Sequence, residues 1–253
     1  MTPHRAATAR ERARAELTRE IKEEARRQLA ATGADGLSLR AVARELGMVS
    51  SALYRYYPSR DDLLTALIID AYNTLGEAAE QAIAGAGSGR ERWIAACHAI
   101  RDWARSNPHE YALIYGSPVP GYRAPEATIG PAARVPLAFV GVLAAAVAGG
   151  EFAAAKEAPP LTAVLLEQAA ALSAAISQQA ASPASPESAE SAGEGAASAG
   201  VPPDALVRAV IAWTQLFGMI SFELFGQFVG SFDPPDAFFA HTVAQLAAFV
   251  GLR

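Results

Sequence analysis

Residues 37–64 read LSLRAVARELGMVSSALYRYYPSRDDLL. Ser38 is a good helix N-cap, and Leu39, Val42, Ala43 and Leu46 fall at i, i+3, i+4 and i+7, giving one apolar face to a short helix that stops at Gly47. A second helix is predicted from about Ser50, with Leu53 and Tyr57 as a narrow buried stripe. Its free face carries Ser50, Ser51, Ala52, Tyr54, Arg55 and Tyr56. Pro58 disfavours helical geometry at the residue before it, Ser59 can cap a third helix, and Asp61 and Asp62 sit where that helix's N-terminal dipole welcomes anions. A short helix with small, hydroxyl and cationic residues outward is what a major groove accommodates. The pattern therefore reads as a helix-turn-helix. Periodicity alone also fits a three-helix corner of an ordinary α-helical protein.

The run resembles the signature of the tetracycline-repressor (TetR) family, in which Val-Ala on one helix is followed by Leu-Gly-Met/Val, small residues, Leu-Tyr, an aromatic pair, and Lys/Arg ahead of Leu-Leu. Here these are Val42-Ala43, Leu46-Gly47-Met48, Ser50-Ser51-Ala52, Leu53-Tyr54, Tyr56-Tyr57, Arg60 and Leu63-Leu64. The family often has His-Phe where this chain has Tyr56-Tyr57, and Lys where it has Arg60. Both differences keep a donor near phosphate and leave base preference open. The resemblance implies an all-α protein: a three-helix DNA-binding domain followed by a larger helical ligand-binding and dimerisation domain. It implies a ligand-responsive transcriptional regulator, usually a repressor, that needs no cofactor.

A chain of 253 residues that is 51% hydrophobic and 19% charged buries a substantial core in one or two domains. The net charge of -5 hides an asymmetry: residues 1–60 hold 12 Lys/Arg against 7 Asp/Glu, a net of +5, and residues 61–253 hold 9 against 19, a net of -10. A basic front on an acidic body is the charge map of a protein that touches phosphate at one end. The single cysteine, Cys97, excludes an intramolecular disulfide and fits a reducing cytoplasm. The Arg-rich start has no apolar core of a secretory signal. The apolar runs 135–150 and 209–222 fall short of the roughly 20 residues that cross a bilayer, so buried helices are expected there rather than membrane spans.

In chain order, residues 1–9 are expected to be a disordered arm. Residues 10–60 form the helix-turn-helix domain, its first helix marked by Leu17, Ile21, Ala25 and Leu29, and residues 61–253 form the regulatory and dimerisation domain. A long helix from Asp61 fades in the glycines of 85–89 and belongs to both, so that a shift in the body could reach the head. The stretch HEYALIYGSPVPGY, residues 109–122, resembles a subgroup of actinobacterial regulatory domains. Residues 182–200, rich in Ser, Ala, Gly, Pro and Glu, are predicted to be a disordered loop. The most apolar helix begins at Pro203, with Leu206, Val210, Trp213, Phe217, Ile220, Leu224 and Phe228 at helical spacing, and a last helix covers 236–250. No convincing strand is found.

Apolar residues surround more than one face of the last two helices, 203–228 and 236–250, as in a helix buried inside its subunit or against a partner. In the family this pair forms a four-helix bundle with its copy, and the resemblance implies a homodimer on a palindromic operator. Arg40, Ser50, Ser51, Tyr54, Tyr56 and Arg60 are assigned to phosphate, and Ala52 and Arg55 to base edges. For a small apolar effector the candidate lining is Trp93, His98, Arg101, Trp103, Tyr111, Tyr115, Trp213, Phe217 and Phe222, although aromatics at this spacing also fit plain core. Phe217 stands where one family of regulatory domains has His.

Catalysis finds no support. Cys97 and His98 are adjacent on a helix and point apart, the glycines of 85–89 follow a helix rather than a strand, and Tyr122 replaces the lysine a phosphate loop would need. His98 and Asp102 are too few for a metal site. The competing reading is a helical small-molecule-binding or scaffolding protein whose head no longer meets DNA.

Overall fold

The computed structural model describes residues 8–154, 159–181 and 200–253. The expected 182–200 loop lies outside these except at Gly200, and of the expected 1–9 arm only Thr8 and Ala9 are described. Thr8 caps the first helix: its hydroxyl accepts from the Glu11 amide and the Glu11 carboxylate accepts from the Thr8 amide, a reciprocal capping box.

Among the described residues the chain is all-α: α1 (Ala9–Thr32), α2 (Leu39–Glu45), α3 (Ser50–Leu53), α4 (Arg60–Ala84), α5 (Gly89–Ser106), α6 (Pro108–Tyr115), α7 (Ile129–Ala148), α8 (Ala163–Ala181), α9 (Pro203–Leu224) and α10 (Asp236–Val250). One isolated antiparallel bridge, Phe152 to Leu252, is the sole extended pairing among them.

The helices gather into two compact units. One comprises the chain to Ala71 together with Asn107–Thr128, the other Tyr72–Ser106 with Ile129–Arg253; α4 contributes residues to each. In the first, Ile21, Ala25 and Leu29 of α1 are buried with Leu39, Val42 and Ala43 of α2, Leu53 of α3, and Leu63, Leu64 and Leu67 of α4, the faces that the spacing marks. Ion pairs tie α1 to its neighbours. Asp70 accepts from Lys22 at 2.8 Å and from Arg26 at 2.9 Å, and Arg26 also donates to Glu110 on α6 at 2.8 Å.

In the second unit α5 packs against α7, α9 and α10, and α8 lies on α9. The core is formed by Trp93, Ala96 and Ile100 of α5, Phe139 and Leu143 of α7, Leu216 and Ile220 of α9, and Phe239 and Val243 of α10. Gly76 of α4 leaves room for Arg134 of α7, whose Cβ lies 2.8 Å from where a glycine-replacing Cβ would stand. By length and composition Glu126–Ala148 and Pro203–Leu224 would reach across a bilayer, longer than their apolar runs imply. Both carry an arginine paired inside the unit, Arg134 with Glu80 and Arg208 with Asp204.

Two elements depart from the sequence reading. The helix from Pro203 ends at Leu224 rather than near Phe228, because the chain turns through Gly226 and Gly230, both at positive φ. Its buried stripe also runs through Ala205, Ala209, Ala212, Leu216 and Met219, which leaves Val210 exposed. The second difference, in the recognition segment, bears on the candidate site.

Candidate nucleic-acid interface and regulatory core

Ser38 opens α2, its Oγ accepting from the Ala41 amide at 3.4 Å, while the Gln28 side chain of α1 accepts from the Ser38 amide at 3.3 Å. The turn that follows needs Gly47. Its φ of 64° is open to glycine without strain, and it lets the Met48 amide reach back to the Ala43 carbonyl at 2.8 Å.

The recognition helix is shorter than the spacing predicts. Only Ser50–Leu53 is regular α-helix, and Tyr54–Tyr56 continue as a tighter turn in which Arg55 and Tyr56 bond three residues back, to Ala52 and Leu53. Pro58 explains the early end, since it offers no amide and holds Tyr57 away from helical geometry. Leu53 and Tyr57 still plug the core.

The assigned contact residues divide by what already occupies them. Arg40, Ser51, Tyr54 and Arg55 are exposed, and Ser50, Ala52, Tyr56 and Arg60 are half-buried. Neither the Arg40 nor the Arg55 side chain has a hydrogen-bond or ion-pair partner among the described residues. Arg60 does: it donates to the Ala34 carbonyl at 2.7 Å and lies 3.6 Å from Asp61. Tyr56 takes the Arg14 guanidinium over its ring at 5.6 Å. Other cations of this unit are also committed, Arg19 to Glu16 and Glu23, Arg27 to Glu24, and Lys22 and Arg26 as described above. The free positive charge of α2, α3 and the turn after α3 is therefore Arg40 and Arg55, with Arg44 beside Glu45 at 3.5 Å.

The nine candidate effector residues are shared between the two units. Tyr111 and Tyr115 pack on each other at 5.3 Å in the first unit, and the other seven belong to the second. Trp93 is buried against Phe139 at 4.5 Å, and Trp213 packs on Phe217 at 5.4 Å. Trp103 donates to Thr74 at 3.2 Å, while Phe222 is 54% exposed beside Phe228.

Arg101 lies under the Phe239 ring, 4.6 Å from its centroid, with His98 edge-on to the same ring. Its guanidinium holds Glu223 at 2.7 and 2.8 Å and Asp236 at 2.9 Å. Burial opposes its charge, but the two carboxylates outweigh burial and raise its pKa. Arg101 thus pins α5 to the end of α9 and the start of α10, a role that the sequence reading missed because Glu223 is 122 residues away. Cys97 is fully buried and burial pushes its thiol pKa up, so it is an unreactive core group.

Residues 21–67 match the family model described as bacterial regulatory proteins, tetR family, and residues 93–246 match the tetracyclin repressor-like C-terminal domain. The chain is 40% identical over 245 residues to the HTH-type transcriptional regulators Rv1816 of Mycobacterium tuberculosis and Mb1846 of Mycobacterium bovis, covering 93% of this chain and 94% of each relative. The crystal structure of the regulatory protein SCO4313 superposes with a TM-score of 0.69 at 35% identity, over 95% of this chain and all of that one. A protein with unknown function from Rhodococcus sp. RHA1 shares the fold at a TM-score of 0.61 and 22% identity, over 99% of this chain and 97% of that one.

Proposed function

The chain belongs to the TetR family of helix-turn-helix transcriptional regulators, a family without enzymatic activity, and on that premise we propose that it acts as a cytoplasmic homodimeric repressor on a palindromic operator, released by a small apolar effector. In this reading residues 10–60 are the DNA-binding domain and residues 61–253 the regulatory and dimerisation domain. The observation that carries it is the availability of α2 and α3. Arg40 and Arg55 are free where most neighbouring cations are engaged inside the protein, and Ser51 and Tyr54 are exposed beside them.

Arg40, Ser50, Ser51, Tyr54 and Tyr56 take phosphates; Arg60 does so with the donors that Ala34 leaves. Ala52 and Arg55 read bases. Two copies joined through α9 and α10 bring two such segments to half-sites about one helical turn apart. The exposed apolar side chains of Val210, Ile211 and Phe222 on α9 and Phe249 on α10 support that pairing. An effector that favours one head spacing over the other shifts DNA affinity, and α4, continuous from one unit into the next, is the coupling element.

The test is selection of bound sites from random duplex DNA by the purified chain. The expected product is an inverted repeat whose affinity falls steeply with salt. A library that returns unenriched at low salt would overturn the reading in favour of a helical binding protein that does not meet DNA.

A further inference from the structure

Arg208 lies on the buried face of α9 and is 4% exposed. Its Nη1 donates to Asp204 Oδ2, one turn earlier, at 2.6 Å. Nε and Nη2 are closed to solvent and have no hydrogen-bond partner among the described residues. A guanidinium edge in that position meets neither solvent nor an acceptor among the described residues, and buried polar groups are rarely left so.

Two other arginines of the same unit indicate what this edge fits. Arg101 grips the Glu223 carboxylate as a fork, Nε on one oxygen at 2.7 Å and Nη2 on the other at 2.8 Å, with Nη1 on Asp236. Arg134 grips Glu80 likewise, through Nε at 2.9 Å and Nη2 at 2.6 Å, with Nη1 on the Asn73 carbonyl at 2.8 Å. In all three arginines Nη1 has an acceptor. In two, the Nε–Nη2 fork holds a carboxylate from another part of the chain, and in Arg208 it holds none among the described residues. The other buried side-chain atoms without a partner among the described residues are the indole nitrogens of Trp93 and Trp213. All four atoms are donors, so whatever completes them brings acceptors.

We propose that the effector is a carboxylate with an apolar body, its two oxygens seated on Nε and Nη2 of Arg208. The proposal rests on reading the second unit as the regulatory domain for a small molecule. A planar monoanion with two oxygens matches the fork, whereas an amide offers one acceptor and places a donor against a donor. Asp204 already offsets the guanidinium charge, so a dianion such as a phosphate monoester would leave a larger uncompensated charge in a closed site.

The full chain is to be titrated with acetate, benzoate and octanoate, each against its own amide, with Tm and tryptophan fluorescence as readouts. At least one carboxylate is expected to raise Tm by about 5 °C or more when saturating, well beyond its amide. In Arg208→Gln its Kd should weaken by roughly tenfold or more, and Arg208→Lys, which keeps the charge without the fork, should recover only part. Arg208→Met removes the unpaired edge, so without ligand its Tm should equal or exceed that of the wild type.

Carboxylates that bind no better than their amides, a Kd unchanged in Arg208→Gln, or a ligand-free Arg208→Met clearly less stable than wild type would each overturn the proposal, the last because the fork would then be filled by water or by the chain itself. Operator binding measured on the same samples separates the two readings. A carboxylate bound through Arg208 that leaves DNA affinity unchanged sustains the carboxylate site and defeats the switch. Amides that release DNA while the carboxylates neither bind nor release it do the reverse.

Discussion

Arg55 and Arg40 carry the same charge but should contribute different things to a complex with DNA. Arg55 leaves the short turn that follows α3, on the face opposite the buried Leu53, whereas Arg40 stands near the start of α2, where the expected neighbour is phosphate. Arg55→Ala should therefore cost about 1–3 kcal/mol on the selected operator and relax preference at one base position, with little change on random DNA. Arg40→Ala should weaken both alike and reduce the slope of log K against log salt by about one. Competition binding at several salt concentrations checks the pair. An unchanged operator-to-random ratio in Arg55→Ala would remove it from base readout. At this scale the sequence was informative because α2 and α3 are short and local: Ser38, Gly47 and Pro58 fix the ends, and the outward residues follow by elimination. The engagement of Arg60 with the Ala34 carbonyl was not legible, because it depends on how a turn 26 residues away folds back.

The helices show where local pattern stops being enough. Stripes such as Ile21, Ala25 and Leu29 identified α1 because apolar spacing and burial coincide there. On α9 the apolar residues go round the helix, so periodicity does not separate the inner face of Ala205, Ala209, Ala212 and Leu216 from the outer one, nor does it place Arg208 on the inner face. Arg101, Glu223 and Asp236 are similarly invisible until α5, α9 and α10 are packed together. Their energetic consequence is testable. Arg101→Met should cost about 1.5–3 kcal/mol, because the half-buried Glu223 carboxylate loses the fork that holds it and keeps only Arg105 at 3.7 Å, and Arg101→Met combined with Glu223→Leu should regain much of the loss. Urea unfolding of the two single variants and the double variant gives the coupling. Additive losses would mean that the pair does not hold the ends of these helices together.

For the whole molecule the question is what covers the outer face of α9. Val207, Ile211, Thr214, Gly218, Phe222 and Phe225 recur at intervals of four, three, four, four and three residues, the 3.6-residue period of one continuous stripe along a helix. Ile211 is 48% and Phe225 52% exposed, and Gly218 offers a point of close approach between backbones. Val210 and Phe249 widen the apolar surface beside this stripe. Such a face is costly to leave in water, and in the proposed dimer a second copy of the same face related by a two-fold axis would cover it without any further partner. Ile211→Asp with Phe222→Asp should therefore turn a dimer into a monomer on sedimentation. The far-UV circular dichroism should be unchanged, because Leu216, Met219 and Ile220 still pack inward. Each head would then bind alone, and operator affinity should fall by about a hundredfold or more as the second contact ceases to be intramolecular. A double variant that sediments as the wild type, or a monomer that holds the full operator with undiminished affinity, would show that this face is not what brings two heads to one site.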